Sequence, residues 1–100
     1  MSWLKNLFSK PDIKGYLDQD ALILDVRSRA EFSNGHCKDA KNIPLDQIQK
    51  EIPKILKSKR PIITCCRSGA RSGNAARMLK SAGVDVINGG PWQNVKRYQD

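Results

Sequence analysis

One hundred residues, 39% of them hydrophobic and 28% charged, suffice for one domain around one core and exclude a collagen-like, low-complexity or repeat chain. The formal net charge of +8 attracts small anions, nucleic acid and acidic lipids alike, but no nucleic-acid-binding sequence module accompanies it and no nucleic-acid partner is expected. Cysteines at positions 37, 65 and 66 form an odd set with an adjacent pair, which is a poor framework for structural disulfides and favours a reducing, cytoplasmic setting.

Residues 1–100 read as a single domain with a helical flap over 1–10. Lys5 and Asn6 interrupt the first apolar stretch, which therefore lacks the run of a signal peptide or membrane span. Trp3, Leu4, Leu7 and Phe8 share one side of a short helix and are expected to pack over the core. Ala21–Leu24, ending in Asp25, predicts a buried strand. Ser28 and Glu31 have the spacing of a capping box that opens a brief helix, and Asn34-Gly35 stops it.

Asn42-Ile43-Pro44 reads as extended. Asp46 is expected to cap a helix with the apolar stripe Ile48, Ile52, Ile55 and Leu56, kinked or split at Pro53. Pro61–Cys65 predicts a second buried strand. A helix is expected from Ser72, with Ala75, Leu79 and Ala82 on one face and Gly83 as its stop. Val84–Ile87 predicts a third strand, Gly89-Gly90 a turn, and Pro91 the first turn of a last helix that packs Trp92 and Val95 inward. Strands and helices alternate, which predicts an α/β domain with a mainly parallel sheet.

Ligands of open α/β sheets gather beyond the carboxyl ends of the strands. The segment Cys66–Arg71 is expected there, between the second strand and the helix from Ser72. It carries Gly69, Arg67 and Arg71 and no carboxylate. Such a loop can turn its backbone N–H groups inward as an anion nest joined to a helix N-terminus. Nest, helix and arginines would all favour the Cys66 thiolate, activating it without a histidine base. The alternative is an inert cysteine at a strand end beside solvated arginines.

Cys66-Arg67-Ser68-Gly69-Ala70-Arg71-Ser72 resembles the active-site loop of rhodanese-domain sulfurtransferases. The resemblance extends over most of the chain: Leu24-Asp25-Val26-Arg27 with Glu31-Phe32, then Gly35-His36, Asn42-Ile43-Pro44-Leu45, and Gly89-Gly90 with Trp92. It implies a rhodanese-like three-layer α/β domain, a central parallel sheet flanked by helices. It also implies a thiosulfate sulfurtransferase in which Cys66 carries sulfane sulfur as a persulfide. The small anionic donor would be thiosulfate or a persulfide, and the acceptor a thiol or protein. Backbone N–H groups from Arg67, Ser68, Gly69, Ala70, Arg71 and Ser72 would hold the persulfide charge, while Arg67 and Arg71 steer the donor. Arg71 could instead brace the loop through backbone carbonyls. No cofactor, metal or membrane partner is expected, and the chain is read as a monomer.

A second reading is a non-enzymatic module of the same fold that binds a protein or relays persulfide. A phosphatase or arsenate reductase is the third. Resembling phosphatases place one more residue between Cys and Arg, and one residue adds up to about 3.3–3.6 Å of chain, enough to change a cradle closing round one anion.

Cys65 should point to the opposite face from Cys66 and serve as packing, with a vicinal disulfide or resolving thiol as the alternative. Cys37 stands where the family more often has an apolar residue, and Lys38-Asp39 where it has Pro-Gly. A resolving role for Cys37 requires its sulfur near Cys66. His36 reads as a hydrogen-bonded structural residue, since His36-Cys37 and Cys65-Cys66 lack zinc-ligand spacing. Asp25 and Arg27 read as a turn cap and a surface ion pair.

Overall fold

The computed structural model describes residues 10–100, so the expected flap of Trp3, Leu4, Leu7 and Phe8 lies outside the described residues. Helix α1 (Ile13–Asp18) begins at Asp12, whose carboxylate accepts the Gly15 N–H. The apolar run becomes β1 (Leu22–Asp25), and the Ser28/Glu31 capping box forms and opens α2 (Arg29–Ser33). A two-residue strand, β2 (Lys41–Asn42), and a 3-10 turn (Leu45–Gln47) lead into α3 (Ile48–Ser58). Strand β3 (Ile62–Cys66), α4 (Ala70–Ser81), β4 (Val86–Pro91) and α5 (Trp92–Arg97) complete the order.

The sheet has the order β2-β1-β3-β4, and every pairing is parallel. Its faces are covered separately, because successive strand residues point to opposite sides. Leu24, Ile62 and Cys66 pack with Ile48, Ile52 and Ile55 of α3 and with Ala75 and Leu79 of α4. Ile23, Ile63 and Cys65 pack with Ile13 of α1, Cys37 and Val95 of α5. The result is a three-layer α/β sandwich.

Four expectations are corrected. Gln47, not Asp46, precedes α3, and no side chain caps it, because the 3-10 turn already supplies the preceding turn. Pro53 does not split α3, where Ile52 and Ile55 anchor both halves, and Leu56 is 43% exposed at the edge of the stripe. The third strand starts two residues late. The helix C-terminus uses Val84: its N–H bonds the Leu79 carbonyl and that of Gly83 the Lys80 carbonyl, each at 3.0 Å, with Gly83 at φ 92°. This is a Schellman closure, and Val84 packs into the same cluster as Leu79.

The fourth correction concerns Gly89-Gly90, which lies inside β4 rather than in a turn after it. Thr64 pairs with Asn88 but Cys66 with Pro91, so β4 carries one extra residue at a bulge. A Cβ on Gly89 would stand 2.6 Å from Val95 Cγ2 and 2.9 Å from the Thr64 carbonyl oxygen. Only glycine admits that close approach. Pro91 occupies the cap position before α5, and Val95 is fully buried as expected, while Trp92 is half-buried.

Candidate active site

Cys66 is the last residue of β3, so its backbone is fixed by the sheet while its side chain leaves at the carboxyl edge. The helix that follows starts at Ala70 rather than Ser72, with Gly69 in the cap position at φ 105°. Ala70, Arg71 and Ser72 therefore belong to the first turn of α4, whose N–H groups have no intrahelical partner. The loop proper is only Arg67–Gly69. It is short because Gly69 makes the reversal in one residue, while the Thr64 hydroxyl donates to the Ser72 carbonyl at 2.9 Å and holds the helix start against the strand.

Three donors converge on Cys66 Sγ: Gly69 N–H at 3.0 Å, Ser72 N–H at 3.4 Å and the Ser72 hydroxyl at 3.3 Å. Burial pushes the thiol up. The Ser72 hydroxyl, the Ser72 and Gly69 N–H groups and the Ser68 N–H outweigh it, and the thiol lies below its ordinary value. The arrangement can hold a sulfur anion.

The two arginines part company. Arg67 is exposed and, among the described residues, has no ion pair. Arg71 forms a two-pronged pair with Glu31, Nη1 to Oε1 at 2.7 Å and Nη2 to Oε2 at 3.0 Å. It braces the first turn of α4 against α2 through a carboxylate, not through backbone carbonyls. The same Glu31 accepts the Ser28 N–H at 3.1 Å in the capping box. The Arg71 guanidinium, helped by the Ser28 N–H, brings the Glu31 carboxyl down to about 2.

Asp25 and Arg27 are not a surface pair. Asp25 is 0% and Arg27 5% exposed, with Nε 2.9 Å from Asp25 Oδ1 and Nη2 2.7 Å from Oδ2. Arg27 also donates to the carbonyls of Gly35 at 2.7 Å and Glu31 at 3.3 Å, and its guanidinium lies 5.0 Å from the Trp92 ring. Trp92 covers the pair, so it is buried. Through the Glu31 carbonyl it also fixes the helix that holds Arg71.

Cys65 lies on the other face, as expected. Its hydrogen bond to Cys37, with burial, holds its thiol far above the ordinary range. Cys37 is also on that face and donates to the Trp92 carbonyl at 3.2 Å. The sheet stands between it and Cys66, so a resolving role for Cys37 is excluded. Asp39 adopts a positive φ (60°), a conformation Asp tolerates better than most residues. His36 donates from Nδ1 to the Phe32 carbonyl at 2.7 Å and stacks on the Phe32 ring. No cluster able to hold a metal ion occurs among the described residues.

The sequence reading missed Asn88. Its Nδ2 donates to the Gly69 carbonyl at 3.1 Å, and its Oδ1 accepts the Gly90 N–H at 2.9 Å and faces Ser72 Oγ at 2.7 Å. The available signal was an amide placed directly before Gly89-Gly90.

A parallel sheet that delivers a cysteine into a nest of N–H groups at a helix start defines a class of thiolate-bearing α/β domains. A family model described as the rhodanese-like domain matches residues 1–95, and the chain belongs to that family. It is 35% identical over 84 residues to the uncharacterized protein YqhL of Bacillus subtilis, covering 84% of this chain and 64% of that protein. It is 29% identical over 91 residues to the tRNA uridine(34) hydroxylase of Escherichia coli, covering 83% of this chain and 26% of the hydroxylase. The chain thus spans less than two thirds of these curated relatives. Among solved structures, a rhodanese with anions from E. coli superposes with a TM-score of 0.68 at 28% identity, covering 74% of this chain and 89% of that one.

Proposed function

We propose that the protein is a sulfurtransferase that moves sulfane sulfur through a persulfide on Cys66. The supporting observation is the convergence of Gly69 N–H, Ser72 N–H and the Ser72 hydroxyl on Cys66 Sγ, which lowers the thiol without a base. The Cys66 thiolate attacks the outer sulfur of thiosulfate, the sulfur–sulfur bond breaks, and sulfite leaves with the electron pair. A thiolate or cyanide then attacks the persulfide's outer sulfur and returns the pair to Sγ. The first-turn N–H groups of α4 hold the charge, Arg67, unpaired among the described residues, draws the anionic donor, and Arg71 braces the cradle. The donor is a small sulfur anion and the acceptor a thiol, on a monomer in a reducing cytoplasm, with neither nucleic acid nor membrane as partner.

Mass spectrometry after thiosulfate treatment tests this. One added sulfur is expected in the wild type and in Cys65→Ser, and none in Cys66→Ser. A wild type that never gains the sulfur overturns the proposal, and loss of loading in folded Cys65→Ser overturns the choice of nucleophile.

A persulfide relay inside a larger assembly is the second reading. It is favoured by the match to about a quarter of a tRNA uridine(34) hydroxylase, whose remaining length this chain does not span. Sulfur loading without turnover on cyanide or small thiols would select the relay over the enzyme.

A further inference from the structure

The orientation of the Asn88 amide is fixed by neighbours that admit one role each. The Gly69 carbonyl, 3.1 Å from Nδ2, only accepts, and the Gly90 N–H, 2.9 Å from Oδ1, only donates. Oδ1 therefore meets Ser72 Oγ, at 2.7 Å, as an acceptor. Ser72 has one hydroxyl proton and two acceptors for it, Asn88 Oδ1 and, at 3.3 Å, Cys66 Sγ. A neutral sulfur accepts weakly and a thiolate strongly. The proton belongs to the amide while the sulfur is neutral and to the sulfur when it is charged.

We propose that Asn88 is a positioning residue for sulfur transfer, which holds the Ser72 hydroxyl proton in reserve and yields it to Cys66 Sγ only in steps where that sulfur carries the charge. The proposal rests on the sulfurtransferase reading. In the free thiolate the hydroxyl points to Sγ. After loading, the charge sits on the outer sulfur, Sγ is neutral with two bonds, and the hydroxyl returns to Asn88. When an acceptor thiolate takes the outer sulfur, the sulfur–sulfur electron pair falls back to Sγ and the hydroxyl swings to meet the departing thiolate. Asn88 thus competes with the sulfur for a donor, and removing it makes the resting thiolate easier to form.

Among the described residues, the charged groups nearest Cys66 are Arg67 in the loop and Arg71 on α4 with its partner Glu31 on α2, with Asp46 lining the same depression as Arg71; β4 contributes no titratable side chain, and Asp25 and Cys65 face the other side of the sheet. Substitution at Asn88 leaves these groups in place. A residue that merely tethered the loop would act in the opposite sense, since loosening Gly69 weakens its N–H bond to the sulfur.

The test is the pH profile of Cys66 alkylation by iodoacetamide, followed on its peptide, in wild type, Asn88→Ala, Ser72→Ala and the double variant. Asn88→Ala is expected to move the midpoint to lower pH and to raise the rate below it about three- to tenfold, one hydrogen bond's worth. Ser72→Ala moves the midpoint up, and Asn88→Ala then adds nothing in that background. A midpoint that rises or stays in Asn88→Ala overturns the proposal, as does a shift that survives Ser72→Ala. If circular dichroism shows Asn88→Ala unfolded, Asn88→Leu, closer to the amide in volume, carries the same expectations. Sulfur loading of the wild type is scored separately: its failure sinks sulfur transfer, while the alkylation cycle still judges the hydroxyl competition.

Discussion

Glu31 serves two structures at once, capping its own helix through Ser28 and holding Arg71 across the site. Its carboxyl is depressed in the folded protein, so the stabilisation it gives is complete above the unfolded carboxylate value and is lost as pH falls through about 2. Glu31→Gln should lower the urea midpoint by a constant amount above about pH 5 and converge on the wild type near pH 2. Convergence at neutral pH would show that the pair is solvated rather than structural. Arg27 is the stronger test of burial. Arg27→Ala strands Asp25, which is fully buried, and is expected to cost about 3–5 kcal/mol in chemical denaturation. Asp25→Asn with Arg27→Met should recover part of that loss. The pairing was readable from Asp25-Val26-Arg27, but its burial was not, because the cover comes from Trp92, sixty-five residues further on.

At the scale of elements, the parallel sheet and the capping box were legible, because apolar runs and cap residues act locally, while the strand order was not. Nor was the start of β4. Val84-Asp85-Val86-Ile87 has a strand's composition, yet Val84 is committed to closing α4, and that commitment depends on Gly83 at φ 92°. Gly83, before β4, and Gly89, inside it, consequently differ. Gly83→Ala meets no atom within 4 Å and should cost only the left-handed strain, about 1–2 kcal/mol. Gly89→Ala drives a methyl into Val95 and the Thr64 carbonyl and should cost about 1–3 kcal/mol or more from overpacking. The displacement should be felt at the site as well, because the same strand carries Asn88. Equal midpoints for both variants in thermal melts would remove the close approach as the reason for Gly89.

Across the whole molecule, the loop could be read from residues 66–72 alone, whereas the cradle could not. Its completion by Asn88 is a product of topology: β4 lies beside β3, and the register sets Asn88 against Thr64, on the face that Cys66 also uses. Sequence separation hid the contact, and so did the helix beginning two residues early, which turned Ala70 and Arg71 of the expected loop into donors of a helix end.

The sheet also divides two neighbours. Cys65 and Cys66 touch along the chain but lie in different cores, and a bond between their sulfurs would forbid the alternating strand that both require. Their danger therefore belongs to the newly made or unfolded chain, before β3 exists. Denatured protein exposed to mild oxidant should fail to regain native circular dichroism on dilution, recover on adding a reductant, and lose this sensitivity in Cys65→Ser. Folding is what insulates the Cys66 thiol from its own neighbour.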